Sequence, residues 1–243
     1  MRTKKTKFSG GTGVLPEGLL SPKSVYLAGI IFLFMGLTVG GVFVILKGYI
    51  IGVILSFAAI SIILYSTKLV NLGLGELFVG IKGTLIVVGT FYVQTSLITT
   101  ESVGLGVVTG LLSSMVLFVN SIPDIKADRE GGRKTLAILL DVYDGRVKFY
   151  ILLSLVLLIY IFAILFFNNL DNNNFISILP VTFLLPFALK ILVDFKSYIT
   201  CINDAGDLSY VKIMGNTVLF SRLFGLALML GITVVILLSM KVG

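Results

Sequence analysis

Asn120-Ser-Ile-Pro-Asp124-Ile-Lys-Ala-Asp128-Arg129-Glu-Gly-Gly-Arg133-Lys134-Thr-Leu-Ala137 is the longest polar interruption in an otherwise apolar chain. Long apolar stretches flank it on both sides, and that contrast decides the fold class. Inside the run, two carboxylates stand four residues apart and basic side chains follow at once. Carboxylates at that spacing can share a hard cation such as Mg²⁺, which takes oxygen ligands and keeps waters or substrate phosphates. Adjacent Arg and Lys can clamp the rest of a phosphorylated ligand. The spacing alone is also met by a solvated loop whose acids and bases pair weakly at the surface.

Working outward, hydrophobic residues make up 57% of the 243, charged residues 13%, and mean hydropathy is +1.08. That composition belongs to a polytopic membrane protein. Spanning a bilayer takes about 20 helical residues, because lipid offers no partner for free backbone groups. Seven stretches qualify, near 24–46, 49–65, 74–96, 104–122, 148–168, 174–195 and 217–239. The sequence predicts an all-α transmembrane bundle forming a single integral membrane domain over 1–243, with a polar loop over 120–147. Ser21-Pro22 is a good start for the first helix, with Ser as N-cap and Pro at the first helical position.

Basic residues alternate between sides. Arg2, Lys4, Lys5, Lys7, Lys23, Lys68, Lys126, Arg129, Arg133, Lys134, Arg146, Lys148, Lys196 and Lys212 fall on one side. The other holds little beyond Lys47 and Lys241, with Glu101 and Asp171. The positive-inside rule then puts the N-terminus and the Asp-rich loop in the cytoplasm, with the bundle in the cell membrane. The net charge of +7 is assigned to topology and to contact with the lipid bilayer, not to nucleic acid.

Absent residues exclude chemistries. There is no histidine, so Ser-His-Asp and Cys-His catalysis and His-ligated zinc are out. One cysteine, Cys201, allows no internal disulfide. Gly104, Gly106 and Gly110 read as helix-packing positions, since no strand precedes them. No residue is assigned as a catalytic acid or base.

Ionisable residues inside spans are expensive and default to functional candidates. Lys82 and Glu76 both fall in or beside the third span, about 9 Å apart along a helix and nearly on opposite faces. Lys82 is taken as a possible substrate-cavity residue, and Glu76 as a headgroup-level carboxylate. Tyr92 and Gln94, near the far end of that span, are further cavity candidates, although an interfacial belt accounts for Tyr92 as well. Asp204 and Asp207 are expected in a solvated loop. Phe side chains suit a lipid-facing surface or an isoprenoid tunnel.

Asn120 through Ala137 resembles the second Asp-rich motif of the UbiA superfamily of membrane prenyltransferases. Leu72-Gly-Leu-Gly-Glu-Leu-Phe78 and Gly89-Thr-Phe-Tyr-Val-Gln-Thr95 are similar to segments of its dihydroxynaphthoate (menaquinone-type) branch. Phe8 through Pro22 resembles the loop after the family's first Asp-rich motif. The resemblance implies transfer of a polyprenyl chain from its diphosphate to an aromatic acceptor. It implies Mg²⁺ held by Asp124 and Asp128, and Asn120, Arg129, Arg133 and Lys134 toward the diphosphate. It also implies a departure: the family has nine spans, and the two N-terminal helices with the first Asp-rich motif are not found. Pro123 stands where the branch usually has Arg, and Lys82 where it is usually apolar. The competing expectation is a non-catalytic or partner-dependent membrane protein that binds prenyl diphosphate or quinone. A secondary transporter is weaker still, because no pair of broken helices recurs in matching halves.

Overall fold

The computed structural model describes residues 13–15, 17–143, 145–171, 175–200 and 207–242. Residues 1–12, Cys201 and Asp204 lie outside them, as do the side chains of Asp171, Asp207 and Lys241. Among the described residues the secondary structure is helical throughout. Helix α1 runs Pro22–Lys47, α2 Tyr49–Leu64, α3 Gly75–Thr95, α4 Thr100–Ser121, α5 Ile125–Glu130 and α6 Leu136–Leu140. Then come α7 Gly145–Asp171, α8 Leu179–Thr182, α9 Leu185–Thr200 and α10 Asp207–Val242. Six segments are long and apolar enough to cross a membrane, and α2, at 16 residues, is the shorter seventh. A π-turn at Tyr65–Leu69 carries α2 onward.

Local chemistry sets the ends. Ser21 caps α1 by accepting from the Ser24 amide at 3.1 Å, which satisfies a donor no helical carbonyl can reach. Thr99 and Ser102 form a reciprocal capping box on α4. Gly48 turns α1 directly into α2 with φ +89°, a conformation that costs glycine little.

Two segments differ from the sequence expectation. The last span begins at Asp207 rather than near 217, so Lys212 sits within α10 and not in a loop. Tyr210, Ile213 and Met214 are buried, and this helical period draws the polar residues between them into the helix. The stretch 174–195 is broken into a 3-10 turn, α8 and α9. Pro180 and Pro186 each sit in a first helical turn, where a missing N–H is tolerated.

Helix α4 is the axis of the bundle. Its Val108, Leu112, Met115, Phe118 and Val119 meet Leu152, Ile159, Phe195, Met214 and Phe224 from α7, α9 and α10 in one buried cluster. Its other face packs on α3 through small residues. Gly80 and Thr84 on α3 oppose Gly106, Gly110 and Ser114 on α4, and a Cβ at Gly106 would lie 2.9 Å from the Thr84 carbonyl. Small residues four apart let helix backbones approach in lipid, where no hydrophobic drive brings them together. Helix α1 buries none of its residues and lies along α2.

Candidate functional site

Helix α4 ends at Ser121, with Ile122 still helical in its backbone, and Pro123 is the reason: it has no N–H to continue the ladder. A tight turn follows, and α5 restarts at Ile125. The Asp128 amide bonds the Asp124 carbonyl at 2.8 Å, so the two carboxylates lie one helical turn apart on one face of α5. The chain then reverses through Gly132, φ +74°, and the Arg133 amide returns to the Asp128 carbonyl at 2.9 Å. That reversal brings the Arg133 guanidinium onto the Asp128 carboxylate at 3.2 Å.

These residues face a cavity of about 310 Å³. Asn120, Asp124, Asp128 and Arg133 line it together with Glu76 and Tyr65. The small-residue seam explains Glu76. Ser114 Oγ donates to the Glu76 carbonyl at 2.8 Å, which fixes the first turn of α3 beside the end of α4. Glu76 is 9% exposed and sits in the first turn of α3. On the far side of α4, Tyr210 donates its hydroxyl to the Val119 carbonyl at 2.7 Å, anchoring the backbone just before Asn120.

The oxygen-rich wall suits a hard cation. Asn120 Oδ1 is buried and, among the described residues, has no hydrogen-bond partner. An acceptor held out of water costs free energy unless a donor or cation meets it. Every candidate ligand here is a carboxylate or amide oxygen, the donor class of Mg²⁺. Among the described residues, however, no three acidic, His or Cys side chains converge tightly enough to hold a metal by themselves. The set therefore fits a cation whose remaining positions are filled by water and phosphate oxygens.

The other basic residues of the loop point elsewhere. Arg129 pairs with Asp141 at 2.7 Å, and Lys148 at the start of α7 donates to the same carboxylate at 2.7 Å. The Lys148 hydrogen bond, with Arg129 behind it, holds the Asp141 carboxyl below the usual carboxylate range. This three-membered latch ties α5 to α7 across the loop. Lys134 does not line the cavity; its backbone amide reaches Asn71 Oδ1 at 3.4 Å.

The candidates from the third span separate. Lys82 lines a second cavity, about 240 Å³, with Ser61, Ile62, Tyr65, Phe78 and Val79. Tyr92 donates to the Lys47 carbonyl at 3.1 Å and so braces the α1–α2 turn. Gln94 is exposed, and neither it nor Tyr92 lines either cavity. The sequence does not single out Tyr65 or Asp141 as site residues, and it reads Glu76 as a headgroup-level carboxylate. For Glu76 a signal existed: Glu76, Gly80 and Thr84 repeat at four-residue spacing, opposite the similar repeat Gly106, Gly110 and Ser114.

Residues 12–197 match the UbiA prenyltransferase family. The chain belongs to that family. It is 30% identical over 185 residues to the 1,4-dihydroxy-2-naphthoate octaprenyltransferase of Haemophilus influenzae, covering 74% of this chain and 57% of that protein. A second UbiA-type relative is the 1,4-dihydroxy-2-naphthoate octaprenyltransferase of Bacillus subtilis, 42% identical over 67 residues, 27% of this chain and 22% of that protein. The chain thus spans less than two thirds of the length of these relatives. No solved structure matches it significantly. Family membership and six apolar spans make this an integral membrane protein.

Proposed function

We propose that this chain forms the diphosphate-binding part of an enzyme of quinone biosynthesis that moves a polyprenyl chain from its diphosphate to an aromatic acceptor resembling 1,4-dihydroxy-2-naphthoate. The observation that carries this reading is one cavity lined by Glu76, Asn120, Asp124, Asp128 and Arg133 at the end of a membrane bundle. Asp124, Asp128 and Asn120 would hold Mg²⁺, which when bound supplies positive charge to the departing diphosphate. Arg133 adds a guanidinium for the phosphate oxygens, displaced from Asp128 as the ligand enters. In the transfer, the C1–O bond of the prenyl diphosphate breaks and diphosphate leaves with the electron pair. An electron-rich ring carbon bonds to C1, and the ring then gives up a proton. Apolar walls at Leu117, Val70 and Leu136 keep water from the allylic cation. The Arg129–Asp141–Lys148 latch holds the loop, and Arg129 and Lys134 meet phosphate only if the loop shifts. By the basic-residue count, the N-terminus and this loop face the cytoplasm and the bundle sits in the cell membrane.

The test is transfer of a radiolabelled polyprenyl group to 1,4-dihydroxy-2-naphthoate in membranes that carry the protein, with and without Mg²⁺. A lipid-soluble product that needs Mg²⁺ and disappears with Asp124→Ala supports the proposal. The competing reading is a non-catalytic or partner-dependent protein that binds prenyl diphosphate or quinone. It is favoured by the shortage of converging metal ligands among the described residues. Mg²⁺-dependent retention of prenyl diphosphate with no transfer product would establish it instead.

A further inference from the structure

The cavity around Lys82 is built differently from the Asp-lined one. It lies between α2 and α3, beside the first cavity. Lys82 stands about 10 Å along α3 from its first residue, where an ammonium is expensive in a spanning helix, and its side chain is exposed. Among the described residues it has no carboxylate within ion-pair distance. Beside it, Ser61 is 6% exposed, and its Oγ is buried with no hydrogen-bond partner among the described residues. The orphaned hydroxyl is costly out of water, while Lys82 is exposed at the rim of the cavity with no counter-charge among the described residues, and a single anionic oxygen group meets both needs. The remaining walls are flat or apolar: Phe78, stacked on Phe57 at 5.8 Å, with Ile62, Val79 and the Tyr65 ring. At about 240 Å³ the cavity falls below the usual range of ligand pockets, roughly 300–1,000 Å³. It suits a compact ring with one anionic substituent.

We infer that Lys82 and Ser61 bind the carboxylate of a membrane-soluble aromatic acid. Resting on the transferase reading above, this cavity is the acceptor's entry and holding site. Tyr65 connects the two functions, because it lines both cavities. The carboxylates of the first cavity would repel an anionic acceptor, whereas Lys82 attracts it, so the charges sort acceptor from metal.

The experiment is equilibrium binding of 2-naphthoate and its neutral methyl ester to the purified full chain in phosphatidylcholine nanodiscs, without metal or prenyl diphosphate. Wild type is expected to favour the acid by about tenfold, the effect of one hydrogen bond to a charged group. Lys82→Met removes the preference, Lys82→Arg keeps it, and Ser61→Ala reduces it. Equal binding of acid and ester, or an unchanged preference in Lys82→Met, overturns the inference. Loss of naphthoate preference when phosphatidylglycerol is added assigns the site to a lipid phosphate and overturns it too. Asp124→Ala keeps the preference while losing transfer. A failed acceptor site and a failed transferase reading are thereby told apart.

Discussion

Gly110→Ala tests whether the small-residue seam between α3 and α4 builds the site. A methyl group at Gly110 would collide with the Gly80 carbonyl oxygen, lie 2.5 Å from Thr84 Oγ1 and lie 3.2 Å from the Gly80 carbonyl carbon. Ordinary contacts are about 3.5–4.0 Å, so α3 and α4 must part by about 1 Å. Overpacking of this kind costs about 1–3 kcal/mol. Losing the Ser114–Glu76 interhelical bond adds about 0.6 kcal/mol. At about 2–4 °C per kcal/mol for a chain of this size, the melting midpoint should fall by roughly 3–14 °C. Because the same separation carries Glu76 away from Asn120 and Asp124, Mg²⁺-dependent transfer should fall by about 100-fold. The assay is thermal unfolding in detergent followed by transfer in reconstituted membranes. Gly36→Ala in α1 is the control, since an added methyl there meets nothing within 4 Å. A wild-type midpoint for Gly110→Ala, or an equal drop for Gly36→Ala, would refute the packing argument.

Asp124→Ala and Asp128→Ala should each reduce Mg²⁺-dependent transfer by more than about 100-fold, beyond what loss of an outer-shell partner costs; near-normal rates in either remove that residue from the site. Asp141 has a folded-state pKa below its ordinary 3.8, so its contribution is intact above that value and disappears as pH falls through the depressed one. Amide exchange of Ile125–Glu130, corrected for intrinsic rate, should rise over that acid range. In Asp141→Asn it should already be raised at neutral pH, and matching exchange in the two proteins at neutral pH would sink the latch. Tyr92→Phe removes the donor to the Lys47 carbonyl and should cost about 0.5–1.5 kcal/mol, read as a lower melting midpoint; an unchanged midpoint would show that the bond contributes nothing.

The sequence by itself determined the class of the fold. Lipid cannot satisfy a free backbone group, so an apolar chain of this length must be helical wherever it spans. Composition alone carries that argument. The loop was legible for the same reason: two carboxylates and a run of bases stand out against an apolar background, and Pro123 marks where the helix stops. What the sequence could not decide was which side chains meet. Arg129, Arg133 and Lys134 look equivalent in sequence, yet the turn at Gly132 brings only Arg133 onto Asp128, while Asp141 and Lys148 capture Arg129. Glu76 and Lys82 share one span, and the rotation of α3 against α4 puts them into separate cavities. Glu76 and Asp124 are 48 positions apart along the chain. Their meeting depends on how closely two backbones approach at Gly80 and Gly110, and on the hydroxyl of Ser114 that locks the register. Such contacts follow from three-dimensional close packing, which a one-dimensional pattern of polar and apolar residues does not encode.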